Sequence, residues 1–174
     1  MVKRRTRYWV WIKRVTHCRG FGIQSPADYA FVRYVINEHW PYYQYDEIGR
    51  DDDWLTRKLG RLYFRLANWL QPDVITSDGY RDYLQAGCHR AAFGEKGELV
   101  RLSLEGDYRS VFTSLCDHVR TGRLVLVVEG IWRDRPFWRE IVADKRTGVT
   151  FDLYYCGIVM FDKKRVKQNY VINF

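Results

Sequence analysis

Arg123-Leu-Val-Leu-Val-Val-Glu-Gly130 decides the fold. Five consecutive apolar residues closed by an acid and a glycine describe a strand covered on both faces, which is a central parallel strand rather than an alternating, half-solvated one. In open α/β sheets the crevice lies beyond the carboxyl ends of such strands, so Glu129 and Gly130 stand where a ligand would meet the fold.

Working upstream, residues 99–104 read as a second strand, again ended by an acid and a glycine, Glu105-Gly106. A helix over 108–119, with Val111, Phe112, Leu115 and Val119 inward, joins it to the central strand. Before it, Val74-Ile75-Thr76 is a short strand leading into Ser77-Asp78-Gly79, and a helix over 80–92 follows, weakened by Gly87. Downstream, a helix is predicted over 133–143 and two strands over 149–155 and 157–161. The last two are joined too tightly for a crossover and must be antiparallel. Residues 170–174 extend the final strand or cap the sheet edge.

The first 71 residues read as a helical lead-in to a core at 72–174, within a single domain. Ser25 caps a helix over 26–38, with Pro26 in its first turn and Asp28 at the reciprocal position of a capping box. Asp53 caps a second helix over 54–70, where Leu55, Leu59, Leu62, Tyr63, Leu66 and Leu70 form one stripe. Residues 40–53 are expected to be an ordered loop. Residues 7–17 alternate aromatic and basic groups and predict a short surface helix, its aromatics packed on the body of the protein.

Composition narrows the function classes. Lys and Arg number 29 against 21 Asp and Glu, a formal charge of +8, which makes an anionic partner such as nucleic acid worth considering. Part of the excess is Lys3, Arg4, Arg5 and Arg7, with no acid among the first 13 residues. Cys18, Cys88, Cys116 and Cys156 are widely spaced and read as reduced thiols of a cytoplasmic protein, and His17, His39, His89 and His118 show no metal-ligand spacing. The run 8–12 is too short for a signal-peptide core or a membrane span. No phosphate-binding glycine loop with lysine and no Gly-x-Ser-x-Gly turn occurs.

Strand and helix alternate before a closing antiparallel pair, the order of a Rossmann-like α/β sheet. With Gly22-Ile23-Gln24-Ser25-Pro26, residues 62–72, residues 127–132 and the carboxyl-terminal Phe-Asp-Leu-Tyr-Tyr-Cys-Gly-Ile-Val-Met-Phe and Lys-Gln-Asn-Tyr-Val-Ile elements, the chain resembles the class I S-adenosylmethionine-dependent methyltransferases, in particular a bacterial branch with a helical lead-in. The resemblance implies a cofactor crevice lined by Asp78 and Gly79 after the first strand, with Glu105 a further cofactor residue and Glu129 near the acceptor.

The chain departs from the family in its middle. The turn Ser77-Asp78-Gly79-Tyr80-Arg81 holds one glycine where the family has several, and Tyr80 and Arg81 crowd a place where backbone should lie bare. Gln24 replaces a histidine common in the family's lead-in. Between the first and central strands only residues 99–104 are available, as either the family's second or its fourth strand. The fourth is preferred because one helix separates it from the central strand. The expectation is therefore a methyltransferase-type sheet reduced to about five strands. The amino-terminal helices 26–38 and 54–70 are placed to cover the exposed face of that sheet, and its first strand becomes an edge that needs protection or a partner, a second protein or a second copy.

Three readings follow. One is a degenerate protein without cofactor or catalysis, acting as a protein-binding or structural module. A second is an active methyltransferase using S-adenosylmethionine in an atypical site, and a third is a binder of nucleic acid or anionic surfaces through the basic terminus.

Overall fold

In the computed structural model the run Val125–Glu129 is a strand in the middle of a sheet, its first four residues buried. The structure describes residues 4–18, 20–119, 123–162 and 164–174, with side chains from residue 7 onward. In chain order the elements are α1 (Arg4–Lys13), a 3₁₀ turn (Val15–His17), α2 (Pro26–Phe31) continued by a π-helical turn (Val32–Ile36), α3 (Gln44–Glu47), α4 (Trp54–Leu70), β1 (Val74–Thr76), α5 (Arg81–Gly87), β2 (Ala92–Phe93), β3 (Leu99–Leu102), α6 (Tyr108–His118), β4 (Val125–Glu129), α7 (Arg135–Ala143), β5 (Thr150–Asp152), β6 (Cys156–Met160) and β7 (Asn169–Val171).

The strands form one seven-stranded sheet in the order β2-β1-β3-β4-β6-β5-β7. Six run parallel, and β6 alone runs against its neighbours β4 and β5, as the tight β5–β6 connection requires. The sheet is thus α/β and Rossmann-like, but the expected count of about five is corrected to seven.

Two short strands account for the difference. The helix predicted over 80–92 stops at Gly87, freeing Ala92–Phe93 to pair with Val74–Ile75. Gly87, the last residue of the helix before Cys88 turns extended, packs directly on α4; a side chain there would start 2.3 Å from the Phe64 carbonyl oxygen. At the other end β7 pairs with β5, one of the two arrangements expected of residues 170–174. The first strand is therefore not an open edge: β2 covers it, and the outer strands of the sheet are two and three residues long.

Getting from β2 to β3 requires crossing β1, and residues 94–98 do so in close contact with it. Gly97 NH donates to Thr76 Oγ1 (2.8 Å), whose hydroxyl donates to the Gly94 carbonyl (2.7 Å), and a Cβ on Gly97 would lie 2.6 Å from Thr76 N. Only glycine lets the chain pass there.

Helices cover both faces. α2 with its π turn, α4 and α5 bury Leu59, Leu62, Leu66 and Leu84 against Ile75, Leu99, Val125 and Val127. α6 and α7 bury Phe112, Phe137, Trp138 and Ile141 against Val100, Leu102, Leu126 and Val128. The Asp53 cap forms as the sequence suggests, accepting from Leu55 NH (2.7 Å) and Thr56 NH (3.0 Å). Ser25 likewise caps α2, whereas Asp28 is buried and pairs with Arg165 and Tyr170.

The aromatics of α1 correct an expectation: Tyr8, Trp9 and Trp11 are each more than half exposed rather than packed on the body. The helix is held instead through Arg14, which donates to the Asp152 carboxylate (2.6 Å) and to the carbonyls of Asp152 (2.8 Å) and Ile172 (3.2 Å). No helix among the described residues is long and apolar enough to cross a membrane.

Candidate functional site

Period-two alternation on β3 and β4 builds the site. Leu99 and Arg101 point to the α4 side of the sheet, as do Val125, Val127 and Glu129, so the two charged residues continue the apolar rows past their last hydrophobic layer. They meet there. Arg101 Nε donates to Glu129 Oε2 at 2.8 Å, and its Nη1 pairs with Asp78 on the turn after β1.

Tyrosines complete the cluster. The Tyr63 hydroxyl, from α4, donates to Glu129 Oε2 (3.4 Å), and the Tyr80 hydroxyl donates to Glu129 Oε1 (3.2 Å). Tyr80 holds a left-handed backbone (φ 57°) at the start of α5, a conformation disfavoured for a bulky residue, and its ring lies beneath the Arg101 guanidinium at 5.3 Å. The turn is braced by Ser77, whose hydroxyl donates to the Gly79 carbonyl (2.6 Å).

Electrostatics follow from this packing. Burial works against the Arg101 cation, but its hydrogen bond and charge interaction with Glu129 outweigh burial and raise its pKa above the ordinary value. Burial and the Glu129 charge push both Tyr63 and Tyr80 up, so both are neutral donors. The Cys156 thiol, on the residue paired with Glu129 across β6, is likewise pushed up by burial and by that carboxylate.

Of the sequence candidates, the fold brings together Asp78, Gly79 and Glu129. Gly79 contributes no special backbone; the Arg101 guanidinium carbon lies 3.5 Å from where its Cβ would be. Glu105 is exposed on the turn before α6 and takes no part in the cluster's hydrogen bonds or ion pairs. Tyr80 stands in the cluster beside the turn it was expected to crowd, whereas Arg81 stacks on Phe93 at 4.3 Å; sequence reasoning missed Arg101 and Tyr63 as site residues. Arg101 had a signal: it interrupts Leu99-Val100-Arg101-Leu102, a charge on a row otherwise committed to the core.

No family model, curated protein or solved structure matches this chain.

Among the described residues no group of three or more His, Cys, Asp or Glu is placed to hold a metal, and the four cysteines are free. Of the basic terminus, Lys3 lies outside the described residues, as do the side chains of Arg4 and Arg5; Arg7 stacks on Trp54 at 4.1 Å.

Proposed function

We propose that this chain is a methyltransferase-like α/β domain whose cofactor crevice is closed by its own side chains and which works without catalysis, as a module acting through what binds its surface. One observation carries the reading: Arg101 spans the crevice from Glu129 to Asp78 and lies against Gly79.

S-adenosylmethionine carries a sulfonium and an ammonium, so it needs acids to receive its charge and bare backbone to approach. Here the acids already hold a resident cation, and the backbone beside them is covered. Tyr63, Tyr80 and Arg101 occupy three of the roughly four acceptor positions of the Glu129 carboxylate, which leaves little of it to serve an acceptor substrate as a base. Displacing Arg101 would leave a partly buried guanidinium unpaired.

Calorimetric titration with S-adenosylmethionine and S-adenosylhomocysteine tests this on the intact protein and on Arg101→Ala. Neither ligand is expected to give heat with the native chain. Micromolar binding to the native chain that weakens on Glu129→Ala would restore the enzyme reading.

A further inference from the structure

Away from the crevice, a groove of about 1030 Å³ runs between α1, residues 37–46 and α4, with Tyr155 and Asn173 at its base. Three kinds of group converge there. Each asks for a different part of one ligand.

The first is cationic. Lys58 and Arg61 are three apart on α4 and share a face. Lys58 Nζ lies 4.0 Å from the Phe174 ring centre and 5.6 Å from that of Trp54, and among the described residues no hydrogen bond or ion pair reaches it. Arg61 stacks on Tyr45 at 4.7 Å. Arg57 and Arg65 also line the groove, but they are committed to backbone carbonyls: Arg57 to Gly49, Arg50 and Asp52, and Arg65 to Val35 and Ile36. Glu38 and Asp46 are the acids of the lining.

The second is aromatic. Trp40, Tyr8 and Trp11 line the groove at 72%, 57% and 54% exposure, flat apolar faces held in water beside cations. The third is polar and buried. Tyr155 Oη, Asn37 Nδ2 and Asn173 Oδ1 each lack a hydrogen-bond partner, although Tyr155 and Asn173 are almost wholly buried. Orphaned buried polar atoms are costly, and three at one groove mark a place where a ligand's polar edge would be received.

We infer that this groove is a nucleoside-phosphate site, with the phosphate at Lys58 and Arg61, the base stacked on an exposed ring of the lining, and the ligand's polar edge meeting Asn37, Tyr155 and Asn173. A base offers a π-face to any of these rings and hydrogen-bonding groups at its edge, and the phosphate supplies the charge the lysine lacks. The carboxylates of an acidic peptide would meet the cations but bring no planar ring to the exposed aromatics. Burial among the rings lowers the Lys58 amine to about 8, so an anion beside it would regain a full cation. The shared chemistry is that of a free mononucleotide or of one nucleotide in a single strand.

The test is calorimetric titration of the full chain with the four nucleoside 5′-monophosphates, a 5′-phosphorylated single-stranded oligonucleotide and inorganic phosphate. Saturable binding of a monophosphate or the oligonucleotide is expected, weakened tenfold or more by Trp40→Ala and by Lys58→Gln, with inorganic phosphate at least tenfold weaker. Tighter binding of the oligonucleotide assigns a strand as the source; equal binding assigns the free nucleotide. Bound nucleotide should also protect Lys58 from acetylation, read by mass spectrometry. Absence of heat with every nucleotide, inorganic phosphate binding as tightly as the monophosphates, or affinity unmoved by both substitutions would overturn the inference. Trp40 is a surface residue, so that variant is expected to fold. The crevice is read through Arg101 and Glu129 and the groove through Trp40 and Lys58, so either reading can fail without the other.

Discussion

Arg101 shows how one side chain decides what a site can do. Its guanidinium satisfies Glu129 and Asp78 together, while Tyr63 and Tyr80 take the remaining Glu129 hydrogen bonds. Arg101→Met keeps the stem but leaves Glu129 charged and without a cation, and it is expected to lower stability by about 2 kcal/mol in urea unfolding. Double substitution of Arg101 by Met and Glu129 by Gln should recover part of that loss.

Lys58 makes the opposite prediction at the same scale. Burial and the nearby Arg65 cation bring its amine down to about 8, against roughly 10.4 in an unfolded chain. As pH falls below about 10.4 the unfolded chain takes up the proton, whereas the folded chain does so only near 8, so folding loses stability across that window and the loss is complete below it. Lys58→Met is therefore expected to stabilise the protein by about 1 kcal/mol or more at pH 7, and to gain nothing above about pH 11. Acetylation with limiting reagent at pH 8 should label Lys58 ahead of lysines with ordinary pKa values.

The α4–α5 contact shows where element-level packing overrides local propensity. Gly87 reads as a weak spot in a helix, yet its missing side chain is what lets α5 lie against the Phe64 carbonyl. Gly87→Ala, which raises helix propensity, is expected to destabilise by about 2 kcal/mol by thermal or urea unfolding, because the new methyl group meets backbone that cannot turn away. Strands differ in legibility for a related reason. β4 is five residues of continuous aliphatic and acid and was visible at once, whereas β2 is two residues that only the neighbouring Val74–Ile75 backbone defines as a strand.

At the scale of the whole molecule, α1 is tied to the sheet by one buried ion pair. Arg14 and Arg135 both reach Asp152, and the Tyr154 NH donates to it. Burial raises the cost of the Asp152 charge, but the Arg14 charge and hydrogen bond outweigh it and hold the carboxyl below its usual pKa. The stability this contributes is full above about pH 4, the unfolded value, and is lost as pH falls through the lower folded value. Asp152→Asn should speed hydrogen exchange in α1 while leaving β4 protected, since Val10 is the one core side chain α1 contributes among the described residues.

By itself the sequence determined the elements whose signal is local: the covered strand at Val125–Glu129, the capped helix at Trp54–Leu70, the antiparallel turn-back of β6, and the α/β class they imply. It also placed Asp78, Gly79 and Glu129 at strand ends. Only the tertiary structure decided that Arg101 closes the space between them, that β2 covers the β1 edge, and that Tyr155 Oη and Asn173 Oδ1 are buried without hydrogen-bond partners in a groove that also holds exposed rings. The physical reason is range: strand burial and helix capping depend on residues within one element, whereas an ion pair spanning 23 or 28 positions, or a polar atom left unsatisfied, depends on which distant elements the fold sets side by side.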